Sequence, residues 1–219
     1  MDADSLNAKT RTRLLIQFAR APQVGHVKTR MLTHLSASRA CDVHCELTLW
    51  TCRQLLDSKL GNVELSVTGD TQHALFRQCR AMGVKGVEQQ RGADLGERMY
   101  NALQRGLTQY ASVILVSSDC PGIDPAYLRQ AVVALQSAPI VLGPATDSGY
   151  VLIGAARAIT SDIFADIPWG SDKVYETTVT ALSQAGLEWA ELPGLTDIDR
   201  PEDLAVWEAV KRQVSHNTG

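Results

Sequence analysis

Residues 112–124 read S-V-I-L-V-S-S-D-C-P-G-I-D, and no other stretch limits the fold as tightly. The apolar run Val113 to Val116 ends abruptly at Ser117, Ser118 and Asp119. Cys120-Pro121-Gly122 demands a turn, and Asp124-Pro125 opens a helix, with the aspartate as N-cap and the proline at the first helical position. A run this short, apolar on both faces, suits a central strand of a parallel sheet. Open α/β sheets bind their ligands just beyond the carboxyl ends of the strands, and Asp119 falls at that place. A carboxylate there either holds Mg²⁺ or Mn²⁺, and a phosphate through the metal, or caps the turn.

The flanking sequence repeats the rhythm of strand, loop and helix. Residues 14–19, L-L-I-Q-F-A, predict a first strand. It runs into R-A-P-Q-V-G-H-V-K-T-R, residues 20–30, where Pro22 and Gly25 break regular structure. Arg20, Lys28 and Arg30 put three cations in this loop, which suits a diphosphate, and a solvated basic loop is the plainer alternative. Neither G-x-x-x-x-G-K-[ST] nor G-x-G-x-x-G occurs here. A helix is expected over 36–58, capped by Ser36 or Ser38, then a strand over 63–68, a helix over 71–82 and a strand over 84–89. In Q-R-G-A-D-L-G-E-R-M, residues 90–99, Asp94 is placed to cap a helix and Glu97 to complete a capping box. Leu95, Met99, Ala102, Leu103 and Leu107 form that helix's apolar stripe. Capping explains Asp94. Gln90, Arg91 and Gly92 are left over, and a glycine turn before a helix N-terminus lets a base, ribose or phosphate approach.

After the helix over 124–136, a strand over 139–143 leads into G-P-A-T-D-S-G-Y and another strand over 150–154. Asp147, Ser148 and Gly149 therefore sit in a turn, either a bare hairpin or a second edge of the site. Trp169 is core or a stacking surface for a ligand ring. Asp172 is placed to cap a helix over 173–185, and residues 187–192 suggest a last strand. In L-T-D-I-D-R-P-E-D-L, residues 195–204, Asp197 and Asp199 point the same way if extended. Two carboxylates on one face repel unless a cation neutralises them.

Composition narrows the partners. The 219 residues carry a formal charge of −3, so no basic footprint argues for nucleic acid. No window approaches the ~20 apolar residues of a membrane span, and the start is polar, so a cytoplasmic protein without a membrane partner is expected. Five cysteines argue against a disulfide framework. Cys41, His44, Cys45 and Cys52 fall in one helix, where a buried stripe competes with a metal cluster. One domain over 13–212 is expected, with frayed ends at 1–12 and 213–219. The oligomeric state is left open.

Six motifs then occur in order: F-A-R-A-P-Q-V-G-H-V-K-T-R-M, Q-R-G-A-D-L-G-E-R-M, S-S-D-C-P-G-I, L-G-P-A-T-D-S-G-Y-V-L-I-G, I-P-W-G-S-D and D-I-D-R-P-E-D-L. Together they resemble a family of small bacterial proteins with the GT-A glycosyltransferase fold, some labelled arsenosugar-biosynthesis glycosyltransferases, related to nucleotide-diphospho-sugar transferases. The wider resemblance is to small nucleotidyltransferases of the guanylyltransferase kind. It implies a Rossmann-like three-layer α/β sandwich with a mostly parallel central sheet. It implies a metal-dependent transferase using a nucleotide-sugar donor and a small acceptor. The alternatives are nucleotidyl transfer from an NTP and a non-catalytic nucleotide-binding domain. On this resemblance Arg20, Lys28, Arg30, Gln90, Gly92 and Asp94 serve the nucleotide, and Asp119, Asp197 and Asp199 the Mg²⁺ or Mn²⁺. Asp147 and Asp172 are the candidate catalytic groups, and Ser148, Gly149 and Trp169 the acceptor or sugar side. The chain departs from the family's pattern in three ways. Asp119 lacks the second aspartate of an Asp-x-Asp motif, Ser148 stands where Asp-Gly-Gly-Tyr is usual, and Arg200 stands where Thr is usual.

Overall fold

The computed structural model describes residues 13–217, with side chains through residue 213. The expected fraying of 1–12 lies outside the described residues. Seven strands form one sheet: β1 (Arg13–Arg20), β2 (Asn62–Thr68), β3 (Gly86–Gln89), β4 (Ser112–Val116), β5 (Ile140–Pro144), β6 (Tyr150–Ala155) and β7 (Trp189–Glu191). Their order is β3-β2-β1-β4-β6-β5-β7. All neighbours run parallel except β6, which is antiparallel to both β4 and β5. Six α-helices join them: α1 (Ala37–Ser58), α2 (Ala74–Met82), α3 (Leu95–Leu107), α4 (Pro125–Ser137), α5 (Val174–Gln184) and α6 (Leu204–Asn217). The last helix thus carries regular structure past residue 212.

Alternation along the strands divides the core. Leu15, Val63 and Leu65 meet Leu55, Phe76 and Leu128 of α1, α2 and α4 on one face. Leu14, Ile16 and Leu115 meet Met99, Leu103 and Leu182 of α3 and α5 on the other. All five residues of β4 are buried, as its uninterrupted apolar run requires. A third cluster, Met31, Val43, Leu47, Ile198 and Trp207, packs α6 and its approach against α1.

This arrangement creates a switch point. From β1 the chain steps outward to β2 and β3 through α1 and α2. It then crosses to the other face through α3 and returns beside β1 as β4. Connections leaving β1 and β4 run to opposite sides of this strand pair, toward β2 and toward β5, which opens a crevice at their carboxyl ends.

Capping follows the sequence, with three differences. Ser36, Asp94 and Asp124 accept hydrogen bonds from the N–H groups of Arg39, Glu97 and Tyr127 as N-caps. The second helix begins at Ala74 rather than at residue 71, because Asp70 Oδ1 accepts from Gln72 N–H at 2.8 Å and holds a turn there. Glu97 reaches back to the N–H of Ala93, not of Asp94. Asp172 does not cap α5. Ser171 Oγ accepts from Lys173 N–H, and no side chain closes the helix start.

Candidate active site

The crevice is built from the inside out. Gln17, fully buried on β1, donates from Nε2 to Ser118 Oγ at 2.9 Å, and Ser118 Oγ donates to Phe18 O at 2.6 Å. Ser118 is thereby turned into the protein, and the next residue, Asp119, faces the crevice between β1 and β4. The loop after β1 is anchored by Met31, buried in the third core cluster. Lys28 precedes it in a left-handed conformation (φ 49°). Its ammonium lies 2.9 Å from Asp119 Oδ2 and 3.8 Å from Asp199 Oδ1, on a side chain only 5% exposed. Ile198, buried in the same cluster as Met31, donates its N–H to Asp119 O at 2.8 Å. That bond sets Asp197 and Asp199 on either side of a buried residue, next to Asp119.

A cleft of about 290 Å³ opens here, between the turn joining β5 to β6, the 166–174 loop and the first turn of α3. Asp119, Asp147, Asp172 and Asp197 line it, with Arg30 and Arg200. Leu95, Met99 and Trp169 form its apolar side. Trp169 meets Tyr150 edge to face, with centroids 6.2 Å apart. Its loop can close on α3 because Gly96 has no side chain; a Cβ there would lie 2.9 Å from Trp169 Cζ2.

The carboxylates are not equivalent. Burial works against charge on Asp119, but the Lys28 ammonium outweighs it, helped by Ser117 and His44, and the carboxyl is held below its ordinary value. Asp197 is pushed up to about 6 by burial and then by the charges of Asp119 and Asp147. The crevice therefore carries negative potential that the protein's own cations do not neutralise. His44, mostly buried under this loop, is held below its usual pKa by burial, with its Nε2 against Arg20 O at 2.9 Å.

Several residues expected at the site have other duties. Asp199, expected in the metal set, has both oxygens facing cations, Oδ2 pairing with Arg30 and Oδ1 lying 3.8 Å from Lys28. Gln90 donates its amide to Ser66 O at 2.9 Å and so stitches the loop to β2. Gly92 (φ +139°) is required by packing, since a Cβ would lie 2.7 Å from Arg98 N. Asp94 is the cap of α3. Arg20 ends β1 with an exposed side chain, and neither it nor Gln90, Gly92 or Asp94 lines the cleft. Asp147 Oδ1 accepts from Gly149 N–H at 3.2 Å, which makes the Asp147–Gly149 turn compact. Ser148 adopts φ +73°, the left-handed region that favours glycine. Leu95 and Ser117 lie in the cleft without having been singled out for it. The signal for Leu95 was its place in the first turn beside the cap, where a helix end leaves the core.

The cysteines and His44 form no metal cluster, and among the described residues no three His, Cys, Asp or Glu side chains gather to hold one. His44 is spent on Arg20, and all five cysteines are free. Cys120 is buried, which raises its thiol to about 12 and makes it inert.

A bacterial family described as "Uncharacterized protein conserved in bacteria (DUF2064)" matches residues 51–171. The chain belongs to this family. No curated protein matches it. Among solved structures it is similar to a protein from Desulfovibrio desulfuricans G20 named "putative nucleotide-diphospho-sugar transferase" (28% identity, 86% of this chain and 82% of that one, TM-score 0.78). It also shares its fold with 4-diphosphocytidyl-2C-methyl-D-erythritol synthase of Anaerococcus prevotii (10% identity, 92% and 99%, TM-score 0.62). A nucleotidyl transferase of Methanothermobacter has the same fold (13% identity, 92% and 99%, TM-score 0.57). The family member described here thus has the GT-A-like fold seen in proteins named for nucleotide-sugar and nucleotidyl transfer. No helix among its described residues is long and apolar enough to cross a membrane.

Proposed function

We propose that the protein is a metal-dependent transferase, working in the cytoplasm, that moves a glycosyl group from a nucleotide-diphosphate sugar to a hydroxyl of a small acceptor. The meeting of Lys28 with Asp119 at the switch point carries this reading. One loop supplies cations for a diphosphate, and the other supplies carboxylates for a metal.

The donor set suits Mg²⁺ or Mn²⁺ only in part. Asp119 and Asp197 are hard oxygen ligands in unneutralised negative potential, but two carboxylates make no complete cage. That matches a cation bound through one or two carboxylates plus substrate phosphates. Such a cation would stabilise negative charge on the departing diphosphate. Lys28 and Arg30 would contact the same phosphates, with Asp199 holding the two cations in place between turnovers. Arg20, at the outer end of β1, would reach the nucleotide further along the sheet edge. The acceptor oxygen would form the new bond to the anomeric carbon as the bond to the diphosphate oxygen breaks. Its proton would pass to Asp147 or Asp172. Trp169, Ser148 and Gly149 would border the acceptor or sugar.

Two carboxylates beside the acceptor favour a neutral hydroxyl over a phosphorylated acceptor, which they would repel. That weighs for glycosyl over nucleotidyl transfer. Arg200 at the same cleft is the feature that favours the second reading, nucleotidyl transfer from an NTP.

Thermal shift with NDP-sugars, NDPs and NTPs, with and without Mg²⁺ or Mn²⁺, tests the reading. A ligand at 100 times its Kd adds about 2.7 kcal/mol, a rise of roughly 5–11 °C for a chain of this size. The expected result is a metal-dependent rise with an NDP-sugar, lost in Asp119→Asn. Preference for an NTP would move the assignment to nucleotidyl transfer. A folded protein that answers to no nucleotide would overturn both.

A further inference from the structure

The back of the sheet is incompletely covered. On β2, Val63, Leu65 and Val67 face the α1–α2 core, so Glu64 and Ser66 face the other way, and on β3 Val87 and Glu88 divide likewise. Among the described residues no apolar helix packs on this polar shelf. Instead α3 overhangs it, and a cleft of about 390 Å³ lies between them. This cleft shares no lining residue with the transfer cleft, which α3 borders with Leu95 and Met99.

Three arginines point to the ligand: Arg91 from the end of β3, and Arg98 and Arg105 from α3, with Asn101 between the last two. Arg98 and Arg105 are seven residues apart, two turns along one helix face, or roughly 10 Å. Both are held by a single edge of the guanidinium. Arg98 Nε donates to Gly92 O at 3.1 Å, with a longer contact from Nη2 to Ala93 O. Arg105 Nη2 pairs with Glu64 Oε2 at 2.8 Å. The Asn101 amide is fixed by donating to Arg91 O at 3.0 Å. Arg91's guanidinium has no hydrogen bond or ion pair among the described residues. Against these three cations stand Glu88, exposed at the rim, and Glu64, already paired. Positive charges crowded into a concavity repel one another, and rigid guanidinium forks match the oxygens of a phosphate.

We propose that this cleft binds a phosphorylated small molecule at a site separate from the transfer cleft. The phosphoryl group sits among Arg91, Arg98 and Arg105, beside Asn101, and the molecule's remainder lies along the shelf of Ser66 and Glu88. The concavity and its volume fit a metabolite-sized ligand.

The test is an NMR titration of the full ¹⁵N-labelled chain with inorganic phosphate in EDTA, at ionic strength held constant with chloride. Saturable shifts are expected at the Asn101 side-chain amide and the Arg91, Arg98 and Arg105 Nε–H signals. Arg91→Gln removes no contact of the fold and is expected to weaken binding about tenfold, the worth of one charged hydrogen bond. Arg98→Lys keeps the charge and loses the fork, so it also weakens binding, while Lys28→Met leaves it unchanged. Shifts that never saturate, or that chloride reproduces, would show arginines that only tie α3 to the sheet and would overturn the proposal. So would shifts confined to Lys28 and Arg30. The outcome is independent of whether the transfer reading holds, since metal and nucleotide are absent.

Discussion

Ser148 shows what a single residue costs. It sits at φ +73° with its N–H on Ala145 O and its carbonyl accepting from Tyr175 N–H, so the turn cannot relax around it. A non-glycine residue in this region pays about 1–2 kcal/mol, partly offset by the entropy a glycine loses on folding. Ser148→Gly is therefore expected to raise the thermal midpoint by roughly 2–4 °C, for a gain near 1 kcal/mol. Asp197 makes a second prediction. Its folded-state value of about 6 lies above the ordinary carboxylate value of roughly 4. The folded state holds its proton more tightly, so the favourable contribution is complete at low pH and is lost as pH rises through 6. In EDTA, Asp197→Asn should be more stable than the parent at pH 8, with the gap closing by pH 4. With Mg²⁺ and a nucleotide the order should reverse if Asp197 binds the metal. An unchanged gap at all pH values would show that Asp197 is not strained by its neighbours.

The elements show how far local signals reach. Caps were readable because their chemistry is local: Ser36, Asp94 and Asp124 each satisfy a backbone N–H three residues on. Asp94 caps α3, while the family resemblance also assigns it to the nucleotide. Asp94→Ala is expected to cost about 1 kcal/mol and 2–4 °C while leaving the nucleotide-induced shift unchanged. A lost nucleotide response at intact fold would return Asp94 to the binding site. Asp172 was misread because the N–H of Tyr175, which a cap at that position would take, donates instead to Ser148 O at 2.9 Å. A carbonyl from a distant turn competes for the donor, and sequence does not show it.

At the scale of the molecule, the candidate site depends on a core far from it in sequence. Met31 from the loop after β1 and Ile198 beside the two late aspartates are packed with Trp207 of α6. Trp207 also donates from Nε1 to Glu46 Oε2 at 3.1 Å, and Trp50 meets it edge to face. Removing this ring should cost roughly 3–5 kcal/mol. Trp207→Ala is expected to loosen Lys28 and Asp197 together. At a temperature where the variant remains folded, the metal-dependent nucleotide shift should fall, although Trp207 touches no part of the cleft. A lowered midpoint with a normal nucleotide shift would show the site to be built without α6.

The sequence by itself determined the succession of strands and helices and three of the caps, Ser36, Asp94 and Asp124, because apolar periodicity and hydrogen-bond chemistry act within a few residues. It also placed Lys28, Arg30, Asp119, Asp147 and Asp197 at strand ends, where a parallel sheet gathers ligands. Only the tertiary structure decided their partners. The extended run of Asp197 and Asp199 suggested a joint metal pair, but Asp199 faces Lys28 and Arg30 across a gap of some 170 residues of chain. The arginine cleft was equally hidden, since it exists only where α3 overhangs the polar face of β2. Charge acts through space and periodicity acts along the chain, so contacts between distant loops are fixed by packing alone.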